Sequence, residues 1–297
     1  VADPKHYRIG FYRVTVGADA RMGHVCDRLL AARDVNKMAR ALKMGENQVQ
    51  IRGIEELPRG AGVKGYVARF RDETPLTGSP DTPIETPVQL DEGRALIERN
   101  HFILYRERAD LELIAYQVGL EGTHIAGLGH YLTLLFGADD AICMNQVLSP
   151  DAYRALAAGG LIKSVDFRVA KPRSKRFAPD PEDTWTQEGF DFMKATGATS
   201  YEVKISTRKR GEGLLADVRE RMGILLRSPF TKKLRVKMSD IEEPIDLLAQ
   251  RLKERITVLP VDGNITSAAV LDGIRGAKIR VQPQLDEIFG QGDEILE

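Results

Sequence analysis

The 297 residues set 43 Lys and Arg against 43 Asp and Glu, with 42% hydrophobic residues. That is enough apolar chain for one large or two ordinary cores, and zero net charge excludes polyanion binding by bulk charge, so any nucleic-acid role needs local clusters of Lys and Arg. No apolar run approaches the roughly 18 residues that span a bilayer, and Cys26 and Cys143 make no disulfide framework, which points to a reducing, cytoplasmic setting.

Val1-Ala2-Asp3-Pro4-Lys5 has no Met and no charged-then-apolar leader pattern, so it reads as a trimmed start. Alternation over Tyr7 to Val14 predicts a strand with Ile9 and Phe11 on one side. Val25, Leu29, Leu30, Met38 and Leu42 recur at helical spacing and predict one or two helices, interrupted near Arg33 to Asn36. Val49 to Ile51 and Gly65 to Phe70 predict a strand pair joined by the Gly-rich Pro58 to Gly62. Thr74 to Pro87, with four prolines and no apolar period, predicts an exposed loop without regular pairing.

His101 to Tyr105 and Leu111 to Tyr116 predict a hairpin, followed by a helix capped by Thr123 and ending at Phe136. Ile142 to Val147 reads as a strand and Ser149-Pro150-Asp151 as a helix start. Past Gly159-Gly160 the pattern predicts a strand over 161–170, a helix over 186–196, a strand from Tyr201 to Thr207, a helix from Gly213 to Leu226 and a strand from Lys232 to Met238. Leu248, Leu252 and Ile256 are expected at helical spacing, offering an apolar seam for a homodimer, in a mostly helical tail with a short strand at Arg255 to Leu259. The fold class expected is α+β, in two domains of mixed, mainly antiparallel sheets flanked by helices, divided as 1–159 and 160–297.

The even net charge conceals segregation. Residues 160–176 carry six basic side chains against Asp166, residues 201–237 eleven against four acids, and residues 238–297 twelve acids against six bases. Thr207-Arg208-Lys209-Arg210-Gly211 has no interleaved acid, and Lys233, Arg235 and Lys237 alternate along a predicted strand. Like charges so placed repel unless a polyanion or a row of carboxylates faces them, and a phosphate backbone fits such a face.

Other motifs carry less. Gly60-Ala61-Gly62-Val63-Lys64-Gly65 satisfies G-x-G-x-x-G, but a strand follows where a dinucleotide site needs a helix. His24 and Cys26 lack a second pair at zinc-ligand spacing, His101, His124 and His130 lie outside any H-E-x-x-H, and no Gly-x-Ser-x-Gly elbow supports acyl transfer. Neither a metal nor a cofactor is expected. Asp191 with Glu202-Val203-Lys204 is similar to the Asp…Glu-x-Lys pattern of metal-dependent nucleases, in which two carboxylates hold Mg²⁺ and the Lys stabilises charge on the phosphate. The obstacle is that Asp191 falls on a predicted helix.

Gly10-Phe11-Tyr12, the hairpin from His101 to Ala115, the helix after Thr123, Val165-Asp166-Phe167-Arg168, and Gly197-Ala198-Thr199 before a basic segment resemble the RexA family of phage exclusion proteins. A more distant similarity is to RdgC recombination-associated proteins. The resemblance covers roughly residues 8–230 and implies a two-domain homodimer without catalytic residues, binding DNA without sequence preference in prophage-encoded defence against superinfection. It also implies a membrane-protein partner of the RexB type and no direct insertion in the membrane. By position, the DNA contacts fall on Lys204, Arg208, Lys209 and Arg210, with Lys232, Lys233, Arg235 and Lys237. The Arg-rich 171–176 and the Pro/Thr loop depart from the family pattern. Two alternatives stand beside this reading: a Mg²⁺-dependent nuclease using Asp191, Glu202 and Lys204, and an interaction protein whose basic and acidic faces pair between subunits.

Overall fold

The computed structural model describes residues 3–16, 24–71, 74–108, 111–119, 122–138, 142–151, 160–170, 183–209, 212–215, 217–228, 230–239, 244–248 and 250–290. The protein is α+β with antiparallel sheets. Its chain divides into two compact units: Val1–Cys143 with Glu254–Ile279, and Met144–Lys253 with Arg280–Glu297. This division is discontinuous, whereas the composition break at Gly159-Gly160 suggested a contiguous one.

The strands of the first unit's main sheet are β1 (Lys5–Val16), β2 (Leu42–Met44), β3 (Asn47–Glu56), β4 (Gly62–Phe70), β7 (Ile97–Arg108), β8 (Leu111–Val118), β9 (Ile142–Gln146) and β14 (Lys253–Val258). They follow the path β14-β1-β8-β7-β4-β3-β2, with β9 also paired to β1. Ile9 to Tyr12 of β1 and Leu111 to Gln117 of β8 are buried without alternation, a pattern that requires cover on both faces. β7 sorts its side chains between the two covers. Asn100 Oδ1 accepts from Thr123 N just before α2 (Ile125–Phe136), and Arg106 pairs with Asp27 of α1 (Val25–Ala31). On the opposite face, His101 meets Ser267 and Glu107 meets Lys278, both on the C-terminal helix Ser267–Phe289.

The G-x-G-x-x-G run is a hairpin feature, because β3 and β4 are antiparallel neighbours joined through a short turn at Pro58–Gly60. Gly62 has φ +143°, and a Cβ there would lie 2.0 Å from the Leu104 carbonyl oxygen, so only glycine fits.

Three expectations in this unit need correction. Met38 and Leu42 are extended, bridging Arg52 and lying in β2. Asp34 Oδ1 accepts from Asn36 N and Met38 N, turning the chain after the short α1. Thr74 to Pro87 is exposed but not irregular: β5 (Leu76–Ser79) and β6 (Thr82–Pro87) pair as a hairpin. Pro87 stands opposite Leu76, and the ladder closes through Val88 N donating to Pro75 O, so the prolyl nitrogen need not donate. The cap of α2 is His124, whose Nδ1 accepts from Ala126 N, while Thr123 is buried beneath it.

The second unit carries β10 (Ile162–Ala170), α3 (Thr184–Thr196), β11 (Ser200–Ser206), α4 (Val218–Arg227), β12 (Thr231–Met238) and β13 (Ile245–Asp246), with sheet order β11-β10-β12-β13. Val165, Phe167, Val169, Leu234, Val236 and Met238 face Met193, Val218, Met222 and Leu225 in one apolar layer. Trp185 stacks on Phe167 at 5.2 Å. Gly189 lets α3 approach β11, since a Cβ there would lie 2.8 Å from Tyr201 Cδ1. Helix α4 starts later than Gly213 because Leu214 N donates to Ile162 O, holding that stretch against β10.

Among the described residues, no helix runs through Leu248 and Leu252. Leu247 N donates to Leu234 O and Leu252 N to Val147 O, so these backbones join neighbouring strands. Leu252 and Ile256 are buried, which withdraws the apolar seam expected for a dimer. The helix start at Ser149-Pro150-Asp151 has Pro150 and Asp151 in helical conformation, and its continuation lies outside the described residues.

Candidate nucleic-acid interface

Period-two alternation leaves one face of the four-stranded sheet polar except for the small Ala170. Glu202 stands opposite Arg168, which stands opposite Lys233. One step along, Lys204, Asp166, Arg235 and Asp246 form a row, followed by Ser206, Ser164 and Lys237. This face thus holds five cations (Arg168, Lys204, Lys233, Arg235, Lys237) and three carboxylates (Asp166, Glu202, Asp246) in alternation.

The carboxylates answer part of the charge pattern from within. Lys233 Nζ lies 2.7 Å from Asp166 and 2.6 Å from Glu202. Hydrogen bonds to Asp166 and then Glu202 raise its pKa, keeping the ammonium charged. Arg235 Nε is 3.3 Å from Asp246. The alternation of Lys233, Arg235 and Lys237 therefore does not by itself require an external polyanion.

The expected contact residues separate into groups. Lys204 and Arg208 are exposed, without an ion-pair partner among the described residues. Lys209 is exposed and pairs with Glu212, also exposed, at 3.2 Å. Lys232 has its pKa lowered by partial burial and then by the positive charge of Arg251. Lys237 lies at the open face. Arg210 lies outside the described residues, as do Lys171, Arg173, Lys175 and Arg176. Lys163 is structural, since its Nζ donates to the carbonyls of Lys209 and Glu212 and so fastens that segment to β10.

Arg168, one of the six basic residues of 160–176, joins the group although it was not among the expected contacts. It is exposed, sits between Glu202 and Lys233 in register, and has no ion-pair partner among the described residues. Its signal was available in the alternation of Val165, Phe167 and Val169, which sends Asp166 and Arg168 to the other face.

The nuclease set does not converge. Helix α3 covers the apolar face, where Phe192 meets Tyr201 at 5.4 Å. Glu202 and Lys204 alternate with Tyr201 and Val203 and so face the other way. Asp191 is exposed on the helix, and Glu202 is engaged with Lys233. Near Cys26, the buried Glu112 carboxylate accepts from Val25 N and Cys26 N at 2.8 Å each, and burial pushes the Cys26 thiol far up in pKa. Among the described residues, no three His, Cys, Asp or Glu side chains gather as metal ligands. No described helix is long and apolar enough to cross a membrane.

No protein-family model matches the sequence, and no curated protein matches it either.

Proposed function

We propose that the open sheet face of the second unit, with the segment that follows β11, binds DNA through phosphate contacts and reads no bases. The observation that carries this reading is that Arg168, Lys204 and Arg208 are exposed cations without an ion-pair partner among the described residues. The strands of the face contribute Ser, Ala, Lys, Arg, Asp and Glu to it and no aromatic ring, so bases have no stacking platform there. Intervening carboxylates repel phosphate and set an upper limit on affinity. Binding of this kind needs no chemical step at the sheet. A role in phage exclusion and a homodimer come to this reading from the RexA resemblance, and a cytoplasmic setting from the cysteine usage.

Fluorescence anisotropy with duplex DNA across a salt series tests the proposal. Three phosphate contacts give a slope of about −2.7 in log affinity against log salt. Changing Arg168, Lys204 and Arg208 to Glu together lowers affinity for all sequences alike and flattens the slope. Unchanged binding in the folded triple variant overturns the assignment. Cleavage of the DNA in Mg²⁺ that is lost in Glu202→Ala would favour the nuclease reading instead.

A further inference from the structure

His101 is 3% exposed, and both of its ring nitrogens are engaged. Gln117 Oε1 lies 2.8 Å from Nδ1 and 3.1 Å from the His101 backbone nitrogen. A backbone N–H only donates, so the Gln117 atom between them is the amide oxygen and not its nitrogen. An oxygen acceptor requires the imidazole proton to sit on Nδ1. In the neutral ring Nε2 is then a bare lone pair, and its partner at 2.9 Å, Ser267 Oγ, donates to it.

The proton order runs from Ser267 to His101 and from His101 to Gln117, as in a nucleophile, its base and the group that orients the base. Ser267 is half-buried between the exposed Thr266 and Ala268. Arg99 Nη1 donates to the same Oγ at 3.3 Å, which places a positive charge beside any anion formed there. Burial, joined by the charge of Arg99 and partly offset by the Gln117 bond, lowers the His101 pKa, so the ring is in its base form at neutral pH.

We infer that Ser267, His101 and Gln117 form a nucleophilic site that takes acyl groups from carboxylic esters. Ser267 Oγ bonds to the ester carbonyl carbon as its proton passes to His101 Nε2. The bond to the leaving oxygen breaks as Nε2 returns that proton to the departing alcohol. Water then attacks the acyl-serine with Nε2 as base, the proton passes to Oγ, and the carboxylic acid leaves. Gln117 is a positioning residue throughout.

A fluorophosphonate probe tests the site on the full chain: Oγ displaces fluoride, a P–O bond replaces P–F, and the proton leaves through His101. Peptide mapping should find the adduct on Ser267 and none in Ser267→Ala. His101→Gln should slow labelling by about 100-fold or more. Wild-type labelling should fall as pH drops below 6.5 and His101 takes a proton, while Gln117→Glu, which keeps the acceptor and adds charge, should speed it. No adduct on the folded wild type overturns the proposal, as does a rate that neither His101→Gln nor acid alters. Should His101→Gln fail to fold, the wild-type pH profile decides.

Discussion

Lys233 on the open face of the second unit and His101 in the first make hydrogen bonds of similar length, 2.6 and 2.7 Å against 2.8 and 2.9 Å. What they do differs because their surroundings differ. On the open face, water and salt reach the charges, with even Lys233 and Asp166 22% and 21% exposed, so pairs there are screened and remain exchangeable for phosphate. The His101 ring is buried, and the only consistent arrangement of protons assigns each donor and acceptor. An exposed charge lattice tunes binding; a buried neutral chain determines where a proton sits.

Gln117→Leu should break this comparison most severely. It leaves the His101 N–H and Nδ1–H without their acceptor, and each unpaired buried group costs about 1–3 kcal/mol. Urea unfolding should show a loss of at least about 2 kcal/mol; a smaller loss would mean that water replaces the amide.

Acid should act on the same residue in a known direction. The folded His101 resists protonation below its ordinary 6.5, whereas the unfolded chain does not. Stability is therefore complete above that value and is lost as pH falls through the window beneath it. Denaturation profiles of wild type and His101→Gln should diverge there. At Glu98, burial alone would raise the pKa, but Arg71, the Gly122 N–H and Arg69 outweigh it and lower it. A second loss accordingly begins below 4.5, and Glu98→Gln should flatten it.

Lys233→Gln sharpens the other side. Lys233 already serves Asp166 and Glu202, so removing its charge unmasks two carboxylates. DNA affinity should fall even though this ammonium need not touch phosphate, and unchanged affinity would show that the carboxylates do not face the DNA. Smallest of all, Arg235→Ala should alter stability by less than about 1 kcal/mol, because its pair with Asp246 is exposed. A larger loss in thermal unfolding would mean that the open face is covered.

Much of the fold was legible where side chains alternate. Ile9 and Phe11 and the strands at Val165 and Leu234 were readable because period two has one structural meaning over several residues, whereas β7 and β8 were readable as two short, near-continuous apolar runs. Spacings of three or four misled where turns intervene: Met38 and Leu42 follow the Asp34 turn, and Leu248 and Leu252 lie between strand contacts. Prolines at β5 and β6 suggested an absence of pairing, since the sequence does not reveal which nitrogens face outward.

For function, the sequence determined the inventory: where cations accumulate, where acids are missing, and which strand faces are polar. Only the tertiary structure decided their partners. Lys233 could be counted as a phosphate ligand until strand register put Asp166 and Glu202 beside it, while Arg168 gained importance from the same register. Ser267 and His101 stand 166 residues apart and carry no local motif. Their hydrogen bond depends on a helix packing against the sheet, and contacts of that range are set by how the core closes and leave no periodic trace in the chain.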